Sequence, residues 1–165
     1  MNFGIIGAKQ WALAMGWLCL QNGHNVLVWE NVDDVKNESG FIKTRKNKYA
    51  DLTKNEKLNF ASDLDKVLNF GEYVIISNLN QNVDELMQEI KKINSYENKH
   101  YIIATKDIVQ STGQTLSEIL IDNGVDKQNI CAVVGLRQPQ SIVKGEKTHL
   151  TVTGYDREQI KNISK

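Results

Sequence analysis

The residues with the clearest chemical potential are Gly7-Ala8-Lys9-Gln10-Trp11-Ala12, set between the apolar Phe3-Gly4-Ile5-Ile6 and an apolar run reaching Leu20. A glycine that turns the chain out of a strand leaves the first backbone N–H groups of the next helix facing outward. The helix dipole adds partial positive charge there, so the turn holds an anion such as a pyrophosphate. Two further small residues usually complete such a turn: a glycine that admits the pyrophosphate, and a glycine or alanine that lets helix and strand pack closely. Ala12 meets the second requirement, whereas Lys9 stands at the first. A side chain held in a glycine conformation costs on the order of 1–3 kcal/mol, or about 5- to 150-fold in affinity. The Lys9 ammonium offsets part of that by reaching a phosphate, and Lys9→Gly is expected to tighten binding unless the lysine is itself a phosphate ligand.

Glu30 follows the turn by about twenty residues, at the end of Asn25-Val26-Leu27-Val28-Trp29. A carboxylate there accepts from ribose hydroxyls and repels a 2′-phosphate, favouring NAD over NADP; read alone, Glu30 is equally a solvated strand-end acid. Lys106 closes Tyr101-Ile102-Ile103-Ala104-Thr105. An ammonium at the mouth of a buried strand binds a phosphorylated or carbonyl substrate, or simply ends the strand in water. The basic cluster Lys43-Thr44-Arg45-Lys46-Asn47-Lys48 touches nucleotide phosphates or forms a solvated loop. No metal site is expected, because His24, His100 and His149 lie far apart without cysteine or carboxylate spacing around them.

These residues need elements to hold them. The chain alternates short apolar strands with amphipathic helices, without repeat or low-complexity linker. Asn22-Gly23 ends the first helix, glycine suiting a left-handed cap. Leu58-Asn59-Phe60-Ala61 reads as a short strand, and Ser62 with Asp65 as a helix start. Tyr73-Val74-Ile75-Ile76-Ser77 is a buried strand; Asn82 with Glu85 opens a helix with Val83, Leu86 and Ile90 on one face. Ser111-Thr112-Gly113-Gln114 reads as a capping box into a helix over 115–122, and Ile130-Cys131-Ala132-Val133-Val134 as a strand closing on Gly135. Four or five strands joined by helices imply an α/β fold of the doubly wound, Rossmann type: a mainly parallel sheet with helices on both faces. Ligands in such sheets lie beyond the carboxyl ends of the strands, which adds residues 78–81 and 135–139 to the candidate site.

Composition narrows the partners. Lys and Arg total 20, Asp and Glu total 20, and the net charge is +0, so no global field steers the protein to nucleic acid or an anionic membrane. Cys19 and Cys131 sit in apolar runs as small core residues, which fits a reducing cytoplasm. The run from Trp11 to Leu20 is too short to span a bilayer and lacks a preceding basic segment.

The sequence resembles the N-terminal half of NAD(P)-dependent glycerol-3-phosphate dehydrogenase. The resemblance rests on Ile6-Gly7-Ala8 with Trp11 and Ala14, Asn22-Gly23-His24-Asn25-Val26 with Trp29, Arg45 and Asn47, and Ser62-Asp63-Leu64. It continues through Ala104-Thr105-Lys106, Thr112-Gly113 with Leu116-Ser117-Glu118, and Gly135 with Gly145 and Thr148. It implies NAD as cofactor, with NADP less favoured since Asn31 replaces the family's arginine. The implied cofactor contacts are Gly7, Ala8, Lys9, Gln10, Trp11, Glu30, Asn78, Leu79 and Gly135, and Lys106 is the implied substrate contact. The implied reaction is hydride exchange between NAD(H) and the glycerol 3-phosphate/dihydroxyacetone phosphate pair, with a homodimer as possible assembly. The family's catalytic residues lie in a second, helical domain, so none is expected within residues 1–165, which read as a single dinucleotide-binding domain at the N-terminal end of a longer two-domain protein.

The departures define an alternative. Lys9 replaces a loop glycine, Asn78-Leu79-Asn80 replaces Val-Pro-Ser, and Leu136-Arg137-Gln138-Pro139 replaces Pro-Ser-Phe-Ala. They motivate a non-catalytic module, a sensor or partner subunit, that keeps the fold without the hydride chemistry. A final helical pattern with Ile160 and Ile163 on one face is expected to leave that face uncovered.

Overall fold

The computed structural model describes residues 1–8, 10–29, 58–77, 83–106, 108–135 and 139–164. The expectations for Lys9, Glu30, the basic cluster at 43–48, Asn78, Leu79 and the helix start at Asn82 fall outside them.

Seven strands form one sheet: β1 (Asn2–Ile6), β2 (Asn25–Trp29), β3 (Leu58–Ala61), β4 (Tyr73–Ile76), β5 (His100–Ile103), β6 (Ile130–Gly135) and β7 (Leu150–Gly154). Their spatial order is β3-β2-β1-β4-β5-β6-β7. Every pairing is parallel except β6 with β7. Six α-helices lie among the described residues: α1 (Gln10–Gln21), α2 (Leu64–Phe70), α3 (Val83–Lys91), α4 (Leu116–Asp122), α5 (Pro139–Val143) and α6 (Arg157–Ile163).

The central strands are apolar on both faces because both are covered. Phe3, Ile5, Val26, Val28, Ile75, Ile102 and Val133 join α1 and Ile142 of α5 in one core, against which Ile163 of α6 also packs. Ile6, Val74, Ile76, Tyr101, Ile103 and Ile130 join residues of α2, α3 and α4 in the other. The sheet is thus the doubly wound one expected. Gly4 is required on the second face: a Cβ there would stand 2.6 Å from the Val67 carbonyl oxygen of α2. At the end of α1, Gly23 takes φ +76°, a left-handed conformation that suits glycine.

Four details differ from the sequence reading. Leu150-Thr151-Val152-Thr153-Gly154 forms an additional, antiparallel strand; its exposed threonines gave no apolar run to recognise. The cap of α2 is Asp63 rather than Ser62, its side chain accepting from the Asp65 and Lys66 N–H groups, while the Ser62 carbonyl accepts from Trp29 Nε1 at 3.1 Å. Helix α4 is capped by Thr115 and Glu118 in a reciprocal capping box. Ser111 to Gln114 instead form a turn in which the Thr112 and Gly113 N–H groups bond to the Val109 carbonyl. Finally, α6 is not left wholly uncovered: Ile163 is half-buried against the first core, and Ile160 is half-buried. Gln159 is 5% exposed and bonded at both ends of its amide, accepting from Cys131 Sγ at 3.2 Å and meeting His100 Nδ1 at 2.8 Å.

Candidate functional site

The carboxyl ends of the parallel strands all point the same way, so the segments after β1, β4, β5 and β6 share one rim of the sheet. At its centre Gly7 takes φ +101°, in the positive-φ range that glycine occupies without strain. Gly7 and Ala8 are half-buried, and the chain enters α1 at Gln10. The first turn of α1 contains no acidic residue, so no carboxylate side chain there competes with an incoming anion for the outward N–H groups.

Two of the expected contacts act through packing. Trp11 is half-buried against the first core, and its Cη2 lies 3.6 Å from where a Cβ on Gly135 would stand. That Cβ would also meet Leu150 Cδ2 at 2.5 Å, so a bare backbone at Gly135 lets Leu150 of β7 close over β6, with the indole at ordinary contact distance beside it. Gln10 Oε1 accepts from Gln140 Nε2 of α5 at 3.1 Å, so its amide is engaged by the protein. Trp11, Gly135, Gln10 and Gln140 therefore converge beside the turn after β1.

Sequence reasoning missed Ser77. Its N–H and hydroxyl both donate to the Ile6 carbonyl, at 3.2 Å and 3.3 Å, which ties the end of β4 to the end of β1 just before Gly7. The Ala104 N–H likewise donates to the Ile76 carbonyl at 2.8 Å, carrying the register into Ala104-Thr105-Lys106. The only available signal was the position of Ser77 directly after an apolar strand.

Lys106 is exposed and Thr105 half-buried. Both line a cleft of about 480 Å³ on the second face of the sheet, with Thr115 and Ser117 from the start of α4, Ala132 of β6, and Thr153 and Tyr155 at the end of β7. The Lys106 ammonium and the hydroxyl-bearing Ser117, Thr153 and Tyr155 thus line one opening. Ser117 lies within the Leu-Ser-Glu match, whereas Thr153 and Tyr155 carried no local signal. A second cleft, of about 720 Å³, lies under Trp29 between α2 and α3; Asp63, Asp65, Glu85 and Glu89 line it, and Lys92 pairs with Glu89.

Neither cysteine is suited to nucleophilic chemistry. Burial pushes the Cys131 thiol up to about 11, with a smaller contribution from Asp156, and pushes Cys19 up to about 12. Both stay protonated at neutral pH. Among the described residues no three histidine, cysteine or acidic side chains gather to hold a metal, and no helix is long and apolar enough to cross a membrane.

The comparisons with known proteins agree with this fold. A glycerol-3-phosphate dehydrogenase [NAD(P)+] of Lactobacillus helveticus is 24% identical over 168 residues, covering 99% of this chain and 50% of that protein. The crystal structure of glycerol-3-phosphate dehydrogenase from Coxiella burnetii superposes with TM-score 0.76 at 15% identity, over 98% of this chain and 49% of that one. An imine reductase from Bacillus cereus also superposes, with TM-score 0.63 at 17% identity over 99% of this chain and 50% of the other. The fold alone therefore does not choose the chemistry. The chain spans about half the length of the curated relatives it matches. Residues 2–160 match the family described as the NAD-dependent glycerol-3-phosphate dehydrogenase N-terminus, and it is to this family that the chain belongs.

Proposed function

We propose that this chain is the cofactor-binding domain of a glycerol-3-phosphate dehydrogenase, serving hydride exchange between NAD(H) and the glycerol 3-phosphate/dihydroxyacetone phosphate pair. The observation that carries the reading is the φ of +101° at Gly7, three residues ahead of the start of a twelve-residue helix whose first turn holds no acidic residue. That arrangement suits a pyrophosphate, and the family's description supplies its identity, NAD. When bound, the nicotinamide provides the hydride chemistry.

The chain's own residues orient and bind. Gly7, Ala8 and Gln10 would offer backbone to the pyrophosphate, Lys9 an ammonium beside it, and Glu30 a carboxylate to the ribose. Asn78, Leu79 and Gly135 would border the nicotinamide, with Trp11 closing the base of the pocket. Lys106 would hold the substrate. Its strand, β5, is second from β1 in the sheet, a separation of roughly 10 Å at ordinary strand spacing. This is a suitable offset for a substrate meeting the far end of a dinucleotide anchored at Gly7. The greater length of the relatives supports residues 1–165 as the N-terminal domain of a two-domain enzyme, with catalytic groups supplied from beyond it; a homodimer belongs to the same proposal.

Titration of the chain with NADH, followed by nicotinamide fluorescence, tests the first half: saturation below millimolar supports it and silence at millimolar cofactor overturns it. In the natural full-length protein, Lys106→Met is expected to lower kcat/KM for glycerol 3-phosphate by about 10- to 150-fold, the range for losing a hydrogen bond to a charged group. A second reading, a module without hydride chemistry, is motivated by Lys9 and by the residues at 78–80 and 136–139. Measurable oxidation of glycerol 3-phosphate by the natural protein eliminates it.

A further inference from the structure

Gln10 and Gln140 are separated by 130 residues of sequence, yet their amides are bonded at 3.1 Å in a partly buried position. Gln10 is the first residue of α1 and Gln140 the second residue of α5. The two helices pack side by side on the first face of the sheet, and Ile142 seats α5 in the same core as α1. An unattached amide oxygen at the first helical position is an acceptor lying beside orphan N–H donors. It is free to turn onto them and compete with an anionic ligand. The bond from Gln140 removes that freedom and fixes the first turn of α1 sideways against α5, while Trp11, the next residue, lies beside Gly135.

We propose that Gln140 is a positioning residue for cofactor binding. By donating to Gln10 Oε1 it preorients the first turn of α1 and keeps the Gln10 side chain away from the backbone N–H groups that receive the pyrophosphate. The inference rests on the reading of the turn after β1 as a pyrophosphate site. Gln140 itself touches no cofactor in this scheme; it acts through Gln10.

The test is a double-mutant cycle on the whole chain with Gln10→Met, Gln140→Met and the pair together. Methionine keeps the length of the side chain and removes its polar head. Each variant is titrated with NADH by fluorescence well below its Tm, and each Tm is recorded. Gln140→Met, which frees the Gln10 amide, is expected to raise the Kd about 2- to 12-fold, the range for one neutral hydrogen bond. Gln10→Met removes the competing oxygen along with the bond and is expected to raise it by less, with the double variant matching Gln10→Met. A lowered Tm with unchanged Kd makes the pair merely structural and overturns the inference. So do two single losses that multiply in the double variant. If the folded wild-type chain fails to bind NADH, the pyrophosphate reading falls and takes this inference with it. If wild type binds and all three variants bind equally well, the inference alone falls.

Discussion

Replacing Gly4 by alanine tests how tightly α2 is pressed onto the sheet. The added Cβ would stand 2.6 Å from the Val67 carbonyl oxygen and 3.2 Å from Val67 Cγ1. Ordinary contact begins near 3.4 Å, so helix and strand must separate by about 0.8 Å, and the obstructing atom is backbone that cannot swing aside. The retreat cannot be taken up at the end of the helix either, because Gly71 lies back to back with Gly4: its own Cβ would meet Gly4 N at 2.6 Å. Val67 and Leu68, 0% and 1% exposed, would lose close contact with the core. A radial gap of that size forfeits a quarter to half of the dispersion well, and overpacking of this kind costs about 1–3 kcal/mol. In a chain of this length, 1 kcal/mol moves Tm by about 2–4 °C, so Gly4→Ala should melt roughly 2–12 °C below wild type by calorimetry. The sign is diagnostic. Where alanine fits without strain, the same exchange stabilises by about 0.4–1 kcal/mol through the unfolded chain. A Tm equal to or above wild type would refute the close approach of Val67 to β1.

Three further outcomes are expected. Gln159→Leu leaves Cys131 Sγ and His100 Nδ1 without their partner on α6; urea unfolding should register a loss of about 1–3 kcal/mol, and a change within 0.5 kcal/mol would mean the buried amide contributes nothing net. The Cys131 thiol, ordinarily at 9.0, is raised to about 11 chiefly by burial and then by Asp156. Between those values the unfolded chain has lost a proton that the folded chain keeps, so stability falls as pH rises; Cys131→Ala should flatten the decline measured between about pH 9 and 11. The Glu118 carboxyl is held below its ordinary 4.5 by the Thr115 N–H and hydroxyl. Its stabilisation is present above that ordinary value and lost as pH falls through the folded one, so Glu118→Gln should give a shallower acid limb in thermal melts, and an unchanged limb would refute the role of the capping box.

The strands buried on both faces were legible because their sequences are continuous apolar runs: Ile5-Ile6, Val26-Leu27-Val28, Val74-Ile75-Ile76 and Tyr101-Ile102-Ile103 can hardly be read otherwise. Gly7 and Gly23 were legible because the backbone conformations they adopt favour glycine. β7 was not, since its Thr151 and Thr153 are exposed and its pairing with β6 is antiparallel, outside the strand-helix-strand rhythm. The cap of α2 moved from Ser62 to Asp63 because the Asp63 side chain takes the helix N–H groups while Trp29, from a neighbouring strand, takes the Ser62 carbonyl. Local capping rules do not contain that contact. At the candidate site, the glycine turn and Lys106 were visible in the sequence. The bond between Gln10 and Gln140, the double donation of Ser77, and Trp11 beside Gly135 join residues far apart in the chain, and only the closed sheet brings them together.

The strand order also dictates how the molecule is assembled as it leaves the ribosome. β2 joins β1, and β3 joins β2; β4 must then reach back past both to the open side of β1. From that point each new strand is laid on the one made just before it, β5 on β4, β6 on β5 and β7 on β6. Loop closure over the longest distance is therefore required once, at β4, and this is the step where topology should slow folding most. Until it happens Ile5 and Ile6 keep one flank unpaired, so a nascent chain stalled before Tyr73 presents the sticky inner strand of the future sheet to whatever chaperone or neighbour is at hand.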